Sequence, residues 1–388
     1  MEGWKVSNGL EASLLHKLQL RREKSTFRQL TTSVPNAVDF SSNDFLSLST
    51  SSVLRKAFLD ELSQNTSNFS LGSTGSRLLD GNCVYADELE SSIAKFHRAP
   101  AGLLWNSGFD ANSGLFACVP QSGDYILYDE WVHASVHDGL KLSRAKITKA
   151  FTHNSVPHLR ESIQDLLQSD SRVLDGSANI FVAVETVYSM DGDLAPLAEI
   201  VCLVEELLPR RNGHIVVDEA HATGVLGPSG RGLVCKLGLE DKIFARLHTF
   251  GKALASNGAI VLCTPVVRSY LINYAKPLIY TTFLSFPSLA CICAGYSLLS
   301  NGYAEELVVH LHFLIRHFHL SLHKMLAKYE PCRGLLKESS AKPNSPIFAL
   351  ETDHPRKLAK HCQENGFVVR AVVPPTVPTR RVRAGGMH

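Results

Sequence analysis

An α/β fold with a mainly parallel sheet covered on both faces is what this sequence predicts, and three observations carry the expectation. The first is a series of short apolar runs between about residues 100 and 265: A-G-L-L-W (101–105), Y-I-L-Y-D (125–129), I-F-V-A-V-E-T (180–186), I-V-V-D (215–218), R-L-H-T-F (246–250) and A-I-V-L-C (259–263). The second is what separates them, amphipathic or polar stretches such as 196–210, which has helical period. Strand, helix and strand in that rhythm make parallel pairs whose crossovers cover the sheet. The third is size: 388 residues, 45% of them apolar and 20% charged, suffice for a large core and for two domains.

Taken in order, residues 1–40 read as an N-terminal helical arm. Leu10, Leu14, Leu15 and Leu18 fall at helical spacing, and a basic stretch with Arg21, Arg22, Lys24 and Arg28 follows. Residues 41–286 form the large domain, entered through the turn-rich S-S-N-D-F-L-S-L (41–48). The glycine-rich L-G-S-T-G-S-R-L-L-D-G-N (71–82) comes next; it has neither the Lys-Ser/Thr ending of a P-loop nor the dinucleotide fingerprint. Residues 287–388 make a smaller α+β domain: one or two helices over 287–330, a strand near 346–350, a helix near 355–364, then F-V-V-R-A-V-V (367–373). There is no internal repeat.

A net charge of +2 gives no reason to expect nucleic acid or an anionic membrane as partner. Nine scattered cysteines without a C-x-x-C pair read as reduced thiols rather than a disulfide framework or a zinc site. Charged residues interrupt every apolar run well short of a membrane span. The N-terminus has no signal-peptide core and the C-terminal G-G-M-H is not a peroxisomal tripeptide, so a cytoplasmic location is expected.

The chemistry gathers around 215–252. The run Ile215, Val216, Val217 ends in Asp218, with His221 just behind, and a strand that stops at a carboxylate places it at the sheet edge where ligands of open α/β sheets bind. Lys252, between Gly251 and Ala253, is a candidate Schiff-base lysine once partly desolvated. Asp218 and Lys252 together suit pyridoxal phosphate, which needs a carboxylate against its pyridine nitrogen and a covalent tether that later serves as base. Ser107, Gly108 and Phe109, at the expected start of a helix, are candidates for the phosphate cradle. His133 could stack on the ring, and Ser189 and His221 could reach its ring oxygen.

These segments also carry a resemblance. S-S-N-D-F-L, G-S-T-G-S-R-L-L-D-G-N, N-S-G-F-D-A-N, D-E-W-V-H-A-S, E-T-V-Y-S-M-D-G-D-L-A-P-L, V-V-D-E-A-H-A-T-G-V-L-G and T-F-G-K-A-L, in this order over nearly the whole chain, resemble the α-oxoamine synthases. P-P-T-V-P (374–378) is similar to the branch that condenses alanine with a pimeloyl thioester, more than to the glycine-using branches. The resemblance implies a fold-type I pyridoxal-phosphate transferase with a mainly parallel seven-stranded sheet. It implies that Lys252 is the tether, that Asp218 contacts the pyridine nitrogen, that His133 stacks on the ring, and that Ser189 and His221 reach the ring oxygen. Gly108 and Phe109 would bind phosphate with Thr249, and Thr282 would contribute from the neighbouring subunit of a homodimer. Arg28 and Arg383 would meet substrate carboxylates, with Thr376 nearby. The implied reaction is a decarboxylative Claisen-type condensation of an amino acid with an acyl thioester.

Two departures are visible: Ala86 stands where the family usually has His, and the family's further strand and helix after R-V-R are absent, so the small domain is expected to be shortened and carboxylate binding weakened. Other readings are weaker. D-E-A-H also names a helicase box, but no P-loop accompanies it. His310, His312, His317, His319 and His323 lack a nearby acid or cysteine, so no metal is expected. A non-catalytic subunit of a heteromeric synthase would be expected to lack Lys252. Another α-oxoamine synthase, acting on a longer acyl or polyketide thioester, is the runner-up.

Overall fold

A computed structural model of the chain describes residues 8–24, 26–30, 32, 36–64, 69–329, 336–338, 344–373 and 383–384. The chain divides into two units, Met1–Val38 and Asp39–His388. The first carries helix α1 (Gly9–Glu23), started by Asn8, whose side chain accepts a hydrogen bond from the Glu11 N–H at 3.0 Å. None of its residues is buried.

In the second unit helices α2 (Ser52–Gln64) and α3 (Val84–Phe96) precede a seven-stranded sheet. Its strands are β1 (Ala101–Trp105), β2 (Tyr125–Asp129), β3 (Ile147–Phe151), β4 (Ile180–Glu185), β5 (Gly213–Asp218), β6 (Ala245–Thr249) and β7 (Ala259–Cys263), in spatial order β1-β7-β6-β5-β4-β2-β3. The β3-β2-β4-β5-β6 pairings are parallel, and β7 runs antiparallel to both its neighbours. Crossover helices α4 (Gly108–Cys118), α5 (Ala134–Leu142), α6 (Val156–Ser169), α7 (Ser171–Asp175), α8 (Leu197–Leu207) and α9 (Leu233–Leu237) link the strands up to β6. Six of the seven strands appear in the sequence as apolar runs. The exception, β3, is the edge strand I-T-K-A-F, where exposed Ile147 and Thr148 and half-buried Lys149 leave no apolar run to see.

Side chains alternate across the sheet and build two cores. Ile180, Val182, Val184, Ile215 and Val217 pack under α6 and α8, whereas Phe181, Ala183, Val216 and Leu247 pack under α4 and α5 with Leu115, Phe116 and Val136. Residues 287–330, read as one or two helices, are two: α12 (Phe286–Ser300) and the 27-residue α13 (Tyr303–Tyr329), after the short α10 (Pro265–Tyr274) and α11 (Lys276–Ile279). Thr264 and Ser285 cap α10 and α12 ahead of Pro265 and Pro287, the pairing of capping oxygen and early proline that starts a helix cleanly.

Toward the C-terminus lie β8 (Lys337–Glu338), β9 (Leu350–Glu351), α14 (Pro355–Glu364), β10 (Phe367–Val368), β11 (Ala371–Val372) and β12 (Arg383–Ala384). Four of these strands form an antiparallel sheet in the order β11-β12-β9-β8. Among the described residues no helix is long and apolar enough to cross a membrane, and no group of three or more His, Cys, Asp or Glu is placed to hold a metal ion.

Candidate active site

The parallel strands end on one side in polar residues: Asp129 on β2, Glu185 on β4, Asp218 on β5 and Thr249 on β6. Strand parity then decides which of them share a face. Asp218 follows Val216, and Thr249 follows Leu247, on the α4 face; Glu185 follows Phe181 and Ala183 on that same face and is the register partner of Asp218. Asp129 follows Tyr125 and Leu127 and turns the other way.

A cavity of about 350 Å³ opens at this edge, a volume ordinary for a small-molecule site. It is lined by Ser107, Gly108 and Phe109, by His133, Asp218 and His221, and by Thr249 and Lys252. Lys252 Nζ lies 2.8 Å from His221 Nε2. Burial lowers the proton affinity of this lysine, while the charges of Asp218 and Glu185 act in the opposite sense. Asp218 accepts on both oxygens, from Asn112 Nδ2 and from the Ala220 N–H, each at 2.8 Å. His133 Nδ1 is held by Ser135 Oγ at 2.8 Å, and burial favours its neutral ring, with the charges of Lys252 and His137 helping and that of Asp218 opposing. The Phe109 ring stands edge-on to it, centroids 6.3 Å apart.

The start of α4 makes the other end of the cavity. Ser107 caps the helix by accepting from the Asp110 N–H at 3.0 Å. The N–H groups of Gly108 and Phe109 precede the first intrahelical donor, Ala111, and have no carbonyl of the helix to bind. A Cβ at Gly108 would come within 3.0 Å of the Thr249 side chain, so only glycine lets the helix start lie against β6. The buried hydroxyls of Thr249 and Ser256 have no partner among the described residues. Two amides without a helical partner and two unpaired hydroxyls among the residues lining one cavity are what a phosphate group satisfies.

Other expected residues lie elsewhere. Ser189 sits half-buried in a tight turn, closed by the Gly192 N–H to Tyr188 O bond at 2.8 Å, and is not among the residues that line the cavity. Thr282 does not line it either; its carbonyl accepts from Asn106 Nδ2, a lining residue, at 2.6 Å. Arg28 lies in the first unit with an exposed side chain. Arg383 lies on β12, a strand paired on both sides, whereas Thr376 falls outside the described residues. Residue types and spacing do not single out several of the lining residues, Ser256, Asn112 and Glu185 among them. Asn112 is one helical turn beyond Gly108 inside the quoted S-G-F-D-A-N, and Glu185 ends its strand with a carboxylate as Asp218 does. A roomier hollow of about 620 Å³ between the 72–85 segment and the start of α12 contains no comparable lysine and histidine pair.

The Aminotransferase class I and II family profile matches residues 35–385. An 8-amino-7-oxononanoate synthase from Emericella nidulans is 54% identical over 374 residues, 96% of this chain and 90% of that protein. The chain belongs to the α-oxoamine synthases. Members of this family are pyridoxal-phosphate-dependent acyltransferases, and the cavity accommodates that cofactor's requirements: a lysine amine, a carboxylate and the amides of a helix start line one space. An aminoacyl transferase, sphA, from Aspergillus fumigatus is 42% identical over 80% of this chain and 66% of its own length. Among solved structures, serine palmitoyltransferase from Sphingomonas wittichii shares the fold with a TM-score of 0.80 at 23% identity, covering 99% of this chain and 93% of that one. An 8-amino-7-oxononanoate synthase from Francisella tularensis has a TM-score of 0.70 at 25% identity, covering 92% and 93%.

Proposed function

We propose that the protein condenses L-alanine with a pimeloyl thioester, with loss of carbon dioxide and release of the thiol, to give 8-amino-7-oxononanoate, a precursor of biotin. The observation that carries this substrate assignment is the 54% identity, across 96% of the chain, with the Emericella nidulans protein of that name. Bound pyridoxal phosphate supplies an electron sink for the pair left at the amino acid's Cα when its proton departs.

The chain's own residues do the rest. Lys252 would be the covalent tether and, as a free amine, the base that takes the Cα proton and returns one to the product. Its burial makes the neutral amine available at a lower pH than an ordinary lysine would allow. His221, 2.8 Å from Nζ, orients that amine and would hydrogen-bond the ring oxygen. Asp218, fixed by Asn112 and by the Ala220 N–H, holds the proton on the pyridine nitrogen, because an adjacent opposite charge favours the charged form. His133, whose burial favours the neutral ring, would cover one ring face without adding a second cation. The Gly108 and Phe109 amides and the Thr249 hydroxyl anchor the phosphate.

Arg28 and Arg383 are assigned to substrate carboxylates, which a guanidinium can hold bidentately, and Thr376 is assigned to substrate binding with them. Ser189 is assigned to the ring oxygen. A homodimer in which Thr282 serves the neighbouring subunit's phosphate site, a small domain beginning near residue 287 and a cytoplasmic location complete the reading. The 42% identity with the sphA aminoacyl transferase leaves the acyl donor open, and the second reading is another α-oxoamine synthase reaction, condensation with a longer acyl or polyketide thioester. Thiol release measured with alanine, serine and glycine against pimeloyl, palmitoyl and acetyl thioesters separates the two. Alanine with pimeloyl is expected to be fastest; rejection of pimeloyl with acceptance of palmitoyl would replace the first reading by the second.

A further inference from the structure

Glu185 is a second carboxyl group in the cofactor cavity, and the roles above do not use it. It ends β4 directly beside Asp218 on the same face of the sheet, it lines the cavity, and it is 4% exposed. The two residues are register partners on one face, and a charge on Asp218 raises the cost of a charge on Glu185. The surroundings decide which one keeps the charge. Asp218 has a donor on each oxygen, from Asn112 and from the Ala220 N–H. Glu185 has the His133 N–H, while its Oε1 is buried without a partner among the described residues.

We propose that Glu185 is held as a neutral carboxylic acid beside the charged Asp218 and donates its proton in a hydrogen bond to the bound pyridoxal phosphate, so that the site carries one carboxylate charge rather than two. An unpartnered buried oxygen is costly as an acceptor but serves as the hydroxyl of the acid form, provided the cofactor offers an acceptor. The groups facing Glu185 agree with this state. Asp218 from β5 repels a second negative charge, as does Asp129 at the end of β2, which bonds the Tyr188 hydroxyl; that hydroxyl in turn receives the Glu185 N–H at 3.4 Å. Lys252 and the His133 N–H act the other way. Burial moves the balance to the acid: the group is raised well above the usual carboxyl range, by burial first and by Asp218 next.

The inference rests on the pyridoxal-phosphate reading of the site and is tested on the holoenzyme by pH titration of its visible absorbance. In Glu185→Gln the side-chain carbonyl can accept from the His133 N–H and the amide can donate to the cofactor, so the titration midpoint is expected to stay at the wild-type value. If Glu185 were an anion, the same variant would remove a negative charge from beside the cofactor, and the midpoint would fall by about one unit or more; that result overturns the proposal. Glu185→Leu removes the donor at similar volume and is expected to release cofactor at least about tenfold more readily, as loss of a hydrogen bond to a charged acceptor implies. Wild-type retention by Glu185→Leu also overturns it. Should Glu185→Leu not fold, the Glu185→Gln midpoint decides alone. Failure of the underlying reading looks different: wild-type protein would then show no visible band that borohydride abolishes.

Discussion

Gly108→Ala sets a local preference against a tertiary contact. Gly108 is the first residue of α4; alanine is the better choice by about 0.5–1 kcal/mol in a helix interior, which is an upper bound at this end position. The added Cβ, however, would fall less than 3.0 Å from Thr249 Cγ2, whereas non-bonded carbons rest about 3.5–4.0 Å apart. The next atom, Leu247 Cδ2, is 3.7 Å away, so one methyl group is the whole obstacle. Thr249 is β-branched, and rotating it away would also move its Oγ1. Overpacking of this kind costs about 1–3 kcal/mol, which exceeds the helix gain, and the strain is relieved only by shifting the helix start or Thr249. Both are phosphate contacts in the proposed site. Gly108→Ala is therefore expected to weaken cofactor binding about tenfold or more in a fluorescence titration, with a modest drop in Tm. Thr249→Ser deletes the obstructing methyl and keeps the hydroxyl. The double variant should recover binding close to that of Thr249→Ser alone, with a coupling of about 0.5–3 kcal/mol. Unchanged affinity in Gly108→Ala, or no rescue by Thr249→Ser, would refute the reasoning.

Three further outcomes are expected. Lys252→Ala should lose the borohydride-sensitive visible absorbance and at least about a thousandfold in turnover, since both tether and base are removed; a surviving band after amine-free purification would exclude the lysine. Asn112→Ala strips one donor from Asp218 in a buried site, a loss of about 1.5–3 kcal/mol, so cofactor affinity should fall roughly 10- to 100-fold; equilibrium dialysis checks it, and wild-type retention would remove Asn112 from the site. His153, stacked on Trp131, bridges Asp129 and Asp193; burial opposes its charge, but these two carboxylates prevail and raise it to about 9. Because the folded value lies above the unfolded one near 6.5, its stabilisation is complete below about pH 6.5 and is lost as pH rises through about 9. The Tm difference between wild type and His153→Gln should be about 2–4 °C at pH 6 and shrink by pH 10; a gap that grows with pH would contradict the ion bridge.

The D-E-A-H motif illustrates how one stretch can be legible in part. That a buried strand ends at Asp218 follows from three apolar residues before it. That Glu219 belongs to the scaffold does not: it turns to the opposite face, where its two oxygens accept the Leu233 and Val234 N–H groups at 2.8 and 2.9 Å and start α9. Burial raises it to about 7, with those N–H bonds and the Arg246 charge opposing. Asn112 and Glu185 stayed unremarked for a related reason. Each lies within a quoted segment, but its use depends on which residue of a neighbouring element lies opposite, and that is a matter of register.

Apolar periodicity and local capping signals were enough for the sequence by itself to determine the α/β class and six of the seven sheet strands, because these follow from interactions between residues near in the chain. Only the tertiary structure decided that Gly108 must be bare against Thr249, that Asn112 braces Asp218, and that Glu185 stands beside Asp218 while Ser189 lies off the cavity. Those facts arise where strands from distant parts of the chain come into register, and strand parity then sends each side chain to the cofactor face or away from it.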